Sequence, residues 1–270
     1  MLRAFTPALR LGVGTDSLAL VQARRGVRPQ RTLLAEQFLD PADGEQALTQ
    51  ALRRLLADLP VAGSSLTVVL ADELARMWQV TPPPAASRMG DLEAAAALRF
   101  QALFGGLAAG WKICGDWNAA HPFLAAAVPL PLMARLQQGA AEHRLHLVEV
   151  VPQFVAALNG WRKRRRPGAW FGLVHGGVLT LAAFDNGALA AVRTAVIPQG
   201  TDGGWLESHV AREALLVGAG QPELLQLCGA VPPEWGSQAG RGNFACVLLD
   251  DKVAPAWSNA ARLAATGSKP

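Results

Sequence analysis

An internal repeat constrains this chain more than any other feature. The segment Leu11-Gly12-Val13-Gly14-Thr15-Asp16-Ser17-Leu18-Ala19 lines up with Phe171-Gly172-Leu173-Val174-His175-Gly176-Gly177-Val178-Leu179. Each segment opens the same series of elements. In the first copy, Ala8 to Val13 and Ser17 to Arg24 are short apolar runs around a Gly14-Thr15-Asp16 turn, and Arg31 to Phe38 reads as a third strand. Asp43 to Leu59 places Ala47, Leu48, Ala51, Leu52, Leu55 and Leu56 at helical spacing, and Pro60 stops it. Ser65 to Ala71 is then a buried strand. In the second copy, Phe184-Asp185-Asn186-Gly187-Ala188 supplies a hairpin turn and Ala188 to Ile197 a strand. A helix from Gly204 to Val217 and a strand from Leu224 to Cys228 follow. Strand, strand, strand, helix, strand, twice in the same order, predicts a duplicated α/β fold.

A block of different character separates the copies. The run Pro82-Pro83-Pro84 precedes a helix from Asp91 to Leu107, with Asp91 and Glu93 where the helix dipole favours negative charge. Trp111 to Trp117 and Phe123 to Val128 read as a strand pair, Pro131 to Arg144 as a helix, Leu145 to Val151 as a strand and Pro152 to Trp161 as a helix. The basic, turn-rich segment Arg162-Lys163-Arg164-Arg165-Arg166-Pro167-Gly168 marks a boundary.

Composition excludes several classes. With 51% hydrophobic and 17% charged residues, the 270-residue chain can bury a core and is not intrinsically disordered. A net charge of +4 over this length does not indicate a nucleic-acid protein. Cys114, Cys228 and Cys246 have no metal-ligand spacing and fit a reducing compartment. Met1 to Pro7 lead into a strand-like run rather than the apolar core of a signal peptide. The uncharged stretch 167–184 carries four glycines and His175, so buried strands are expected there, not a membrane helix. A cytoplasmic protein is the expectation.

Taken in order, these segments resemble the actin-like ATPase family, and within it the PilM family of type IV pilus assembly. They are also similar to the cytoplasmic domain of the GspL family of type II secretion. Leu11-Gly12-Val13-Gly14 with Ser17-Leu18-Ala19-Leu20-Val21 resembles the PilM opening. Trp78-Gln79-Val80-Thr81-Pro82-Pro83, before a helix ending Ala97-Leu98-Arg99-Phe100, resembles the subdomain inserted in the first half. Ala125-Ala126-Ala127-Val128-Pro129 and Leu145-His146-Leu147-Val148-Glu149-Val150-Val151-Pro152 resemble the return to the sheet. Arg193-Thr194-Ala195-Val196-Ile197-Pro198-Gln199-Gly200 and Leu224-Leu225-Gln226-Leu227-Cys228-Gly229 resemble second-half segments.

The resemblance implies an α/β, duplicated actin-like or ribonuclease H-like fold: two mixed-sheet halves with a small α/β subdomain inserted in the first. Residues 1–161 would be the first half with the insertion at about 74–144, residues 162–168 a basic linker, and 169–270 a shortened second half. It also implies a nucleotide cleft with a hairpin from each half, around Gly12, Gly14, Thr15, Asp16, Val174, Gly176, Gly177 and Gly229. In the family each hairpin carries a metal-positioning aspartate, and the first hairpin reads Gly-hydrophobic-Asp-hydrophobic-Gly. Gly14 and Val174 stand at the aspartate positions of this chain, and Asp16 at a glycine position. A carboxylate at Asp16 pointing at a phosphate would repel it by roughly 4 kcal/mol at 4 Å and an effective dielectric of ~20. Asp16 reads as a turn residue, or as a displaced metal ligand if the hairpin slips by two residues. No cofactor is expected, with ATP and magnesium the alternative.

The function implied is a non-catalytic assembly protein, peripheral at the inner membrane, that binds the cytoplasmic N-terminal segment of a membrane-anchored partner. The alternative is an actin-fold ATPase or kinase with a rearranged phosphate site. Partner contacts are expected at Met77, Trp78, Val80, Leu92, Phe100 and Phe104. The run Arg162, Lys163, Arg164, Arg165, Arg166 reads as a solvated linker or as a patch for anionic lipid; nucleic acid is a third reading that no second basic cluster supports. His143 and His146 have no third ligand nearby, so no metal site is expected, and no serine has a hydrolase elbow with a downstream acid and histidine.

Overall fold

The computed structural model of the chain describes residues 8–24, 30–84, 86–237, 244–250, 253 and 256–268. Three strands open it as an antiparallel meander, β1 (Ala8–Val13), β2 (Ser17–Arg24) and β3 (Gln30–Phe38); α1 (Ala47–Leu56) then crosses over to β4 (Ser65–Leu70), parallel to β1. Next come β5 (Arg76–Val80), α2 (Met89–Phe104), β6 (Trp111–Gly115), β7 (Phe123–Pro129) and α3 (Leu130–Glu142). β8 (His146–Pro152) completes the first sheet in the order β3-β2-β1-β4-β8, and α4 (Gln153–Gly160) follows. The second copy runs β9 (Trp170–His175), β10 (Val178–Asp185), β11 (Ala188–Val196), α5 (Gly203–Val217), β12 (Leu224–Gly229), α6 (Pro233–Ser237), β13 (Ala245–Leu249) and α7 (Asn259–Ala265). Its sheet has the order β11-β10-β9-β12-β13, the same topology as the first. β5, β7 and β6 form a separate three-stranded sheet with β7 in the middle.

Local chemistry accounts for the element ends. α1 begins at Ala47, after the expected Asp43, because Gly44 at φ 53° breaks the helical path inside a preceding 3-10 turn that Asp40 caps. Its Leu48, Ala51, Leu52, Leu55 and Leu56 are buried along one face. α2 ends at Phe104 rather than Leu107, because Gly105 adopts the left-handed conformation (φ 71°) that closes a helix. β5, β13, α6 and α7 have no counterpart among the sequence-based expectations.

Chain order and packing divide the molecule differently. By packing, one unit comprises Met1–Ala75, Pro129–Gly160 and Asp251–Pro270, and the other Arg76–Val128 and Trp161–Asp250. In the first unit, α7 lies on β1 and β2, with Ala19, Ala260 and Ala261 buried together. Gly12 makes this approach possible: a β-carbon there would overlap Ala260 O and stand 2.7 Å from Ala264 N. Arg10 then holds the end of α7, donating from Nε to Ala264 O (2.7 Å) and from Nη2 to Thr266 O (2.5 Å). In the second unit, Trp170, Leu179, Leu181, Leu206, Val210, Leu225, Leu227 and Trp235 form the core between the sheet and α5. The three-stranded sheet packs α2 through Trp78, Val80, Leu92, Ala96, Phe100 and Phe123, and its β5 lies beside β11. Among the described residues no helix is long and apolar enough to cross a membrane.

Candidate functional site

In open α/β sheets ligands bind beyond the carboxyl ends of the parallel strands, so the hairpins that end β1 and β9 are where chemistry would gather. In the first unit, Gly14 N–H donates to Ser17 O at 2.8 Å, leaving Thr15 and Asp16 as an exposed two-residue tip. The Asp16 carboxylate accepts from its neighbour's hydroxyl, Ser17 Oγ, at 2.7 Å, while the Asp16 carbonyl accepts from Leu39 N–H at 2.8 Å. Asp16 thus sits as a turn residue. Gly12, placed by the sequence among phosphate-binding positions, faces α7 instead.

The second hairpin closes on His175 and Val178, with Gly176 (φ 56°) and Gly177 (φ 77°) as its two-residue tip. Positive φ at both residues is the backbone of a type I′ turn, which glycine adopts without strain. Superposing the ladders corrects the sequence alignment by one residue. Val13 pairs with Leu18 and Leu70, and its carbonyl accepts from Ala71 N–H at 2.9 Å. Val174 pairs with Leu179 and Gly229, and its carbonyl accepts from Ala230 N–H at 2.8 Å. Val174 therefore matches Val13, and the counterpart of Gly14 is His175. A one-residue slip reverses which face each side chain occupies, and short apolar runs do not reveal it. Gly229 (φ 90°) has no room for a side chain, since a β-carbon would overlap Val174 O.

The sequence reading missed one acid at a strand end. Asp72, buried just past β4, accepts from Phe154 N–H at 2.9 Å through Oδ1 and so caps α4 from outside that helix. Gln153 beside it is buried and donates to Thr266 Oγ1 at 3.0 Å. A magnesium-bound triphosphate needs carboxylates aimed at the metal's water shell and backbone N–H groups free to reach phosphate. Here one carboxylate is bonded to its own turn, another caps a helix, and β9 and β12 end without any. Among the described residues no three of His, Cys, Asp and Glu converge where they could hold a metal ion.

The expected partner residues separate into two populations. Trp78, Val80, Leu92 and Phe100 are the buried core of the three-stranded sheet and α2, with Trp78 and Phe100 edge to face at 5.3 Å. They hold the subdomain together and offer no surface. Met77 is partly covered, and Phe104 is 40% exposed with the Arg76 guanidinium over its ring. The other exposed apolar side chains lie in the second half of the helix and at its exit: Leu98 (67%), Leu103 (46%) and Leu107 (78%).

The basic run is an ordered turn of the second unit. Arg162, Lys163, Arg164 and Arg166 are exposed, whereas Arg165 is half-buried with its guanidinium 5.1 Å from the centre of the Phe184 ring.

No protein family and no curated protein matches the chain by sequence. Solved structures do match its fold. A Bacteroides thetaiotaomicron protein with an actin-like ATPase fold and unknown function shares 12% identity over 90% of this chain and 91% of its own, with a TM-score of 0.60. PilM of the PilM–PilN type IV pilus biogenesis complex shares 15% over 97% and 95%, also at 0.60. The cytoplasmic domain of EpsL, an inner-membrane component of the Vibrio cholerae type II secretion system, shares 15% over 95% and 92%, at 0.55. Two mixed sheets of identical strand order, a small sheet inserted between β4 and β8, and these likenesses give the chain the actin-like ATPase fold.

Proposed function

We propose that the chain is a non-catalytic actin-like assembly protein that binds the cytoplasmic segment of a membrane-anchored partner in a pilus or secretion machine. The observation that carries this reading is the second hairpin: Val174 and His175 lead into a Gly176-Gly177 turn, with no carboxylate in it to position a cation. The likeness to PilM from a PilM–PilN complex and to an inner-membrane secretion component supports the assembly role and a place at the inner membrane. The partner segment would dock by apolar side chains on Leu98, Leu103, Phe104 and Leu107, which are exposed in the second half of α2 and just beyond it.

Two titrations test this. Synthetic peptides covering the cytoplasmic N-terminal segments of single-pass membrane proteins encoded beside the chain are expected to bind it. Magnesium-ATP is expected to leave its melting unchanged. A nucleotide at 100 times its dissociation constant would stabilise the fold by roughly 2.7 kcal/mol; a shift of that size would overturn the non-catalytic reading in favour of an actin-fold ATPase or kinase.

A further inference from the structure

Five consecutive like charges normally read as a solvated connector, but here the fold shapes them. Arg164 N–H and Arg165 N–H both donate to Trp161 O, at 2.8 and 3.0 Å, and Ala169 N–H donates to Arg166 O at 3.2 Å. Gln226, within β12 and 3% exposed, grips the backbone on both sides of Arg165. Its Nε2 donates to Arg164 O at 3.2 Å, and its Oε1 accepts from Arg166 N–H at 2.8 Å. A side-chain amide buried in a sheet and committed to an exposed turn fixes that turn's shape.

The charges so held have no internal counterpart. Among the described residues no carboxylate forms an ion pair with any residue from Arg162 to Arg166, whereas Glu213 of this unit pairs with Arg193 and Arg212. Burial, and then the neighbouring Arg162 charge, pull the pKa of Arg165 down, and its Nε has no hydrogen-bond partner. Arg164 lies over the Trp161 ring at 5.6 Å, so an amphipathic indole flanks the cluster. Repulsion maintained by a stapled turn is relieved by an anionic surface supplied from outside.

We propose that the Trp161–Ala169 turn is a contact for an anionic phospholipid surface. A compact cluster of four to eight basic residues beside an interfacial aromatic suits a bilayer face. A nucleic acid needs a charged track over many phosphates, and this cluster is confined to one turn. The inference does not depend on the partner-peptide reading.

Co-sedimentation of the full chain with vesicles tests it. Binding is expected to vesicles containing phosphatidylglycerol, to weaken with salt, and to be missing with phosphatidylcholine alone; equal binding to both compositions would overturn the proposal without any variant. In R162Q/K163Q/R164Q/R166Q, partitioning is expected to fall about five-fold per residue, several hundred-fold together. A control with the same change in net charge at other exposed positions, R24Q/R99Q/K112Q/R144Q, is expected to lose less than about ten-fold. Equal losses in the two variants would reduce the effect to net charge and overturn the site. So would displacement of bound protein by inorganic phosphate at matched phosphate concentration, which would indicate a free-anion site. Tighter binding to single-stranded RNA than to vesicles, lost in the same quadruple variant, would replace the lipid with nucleic acid.

Discussion

Gly12 and Ala260 touch through their backbones: the α-carbon of Gly12 lies so close under α7 that a β-carbon would collide with the Ala260 carbonyl. The glycine of the first strand is thereby a packing device, and the last helix is part of the first unit's core. Gly12→Ala is expected to destabilise that unit by about 1–3 kcal/mol or more, because neither backbone can yield without moving α7. Urea denaturation reads the loss, and limited proteolysis is expected to cut first near α7.

Asp72 is expected to act as a structural acceptor. Asp72→Ala leaves the Phe154 N–H buried without its partner and should cost about 1–2 kcal/mol, whereas Asp72→Asn keeps an acceptor oxygen and should cost clearly less. Equilibrium unfolding of the two variants separates capping from metal binding: a metal ligand would show no such ranking in stability without added metal.

His209 makes the second unit sensitive to acid. It is 5% exposed, stacks on Trp205 at 5.0 Å between centroids with 4° between planes, and has the Arg212 guanidinium 3.0 Å from Nδ1. Burial pulls its pKa below the ordinary value; Glu213 opposes this, and Arg212 and Arg193 add to it. The unfolded chain then binds the extra proton first, near pH ~6.5. Stability is therefore full above that pH and falls as pH drops towards the lowered folded value, by no more than about 1.4 kcal/mol per pH unit. The difference in urea midpoint between pH 7.5 and 5.5 is expected to shrink in His209→Gln.

The two populations of α2 side chains predict different phenotypes. Phe100→Ala removes a buried ring between Trp78 and Trp111 and should cost about 3–5 kcal/mol of stability. Leu98→Asp changes an exposed position and should leave the melting temperature within about 1–2 °C while abolishing peptide binding, measured by calorimetry. Retained binding in Leu98→Asp would move the partner's site elsewhere.

The apolar periods and the Gly and Asp turn residues act over a few neighbours, so the five repeated elements of each copy and the two hairpins were legible in the amino-acid sequence, whereas β5, β13, α6 and α7 were not. Tertiary structure alone decided which strand residue faces which: Val174 opposite Gly229, Gly12 under α7, Trp78 and Phe100 inside rather than on a docking face. Such facts depend on hydrogen-bond register and on contacts between residues as distant as Arg10 and Ala264. The same holds for the basic turn. Its charges were plain from residue types, but the Gln226 amide that shapes it comes from a strand sixty residues away, and local pattern carries no trace of a partner that far along the chain.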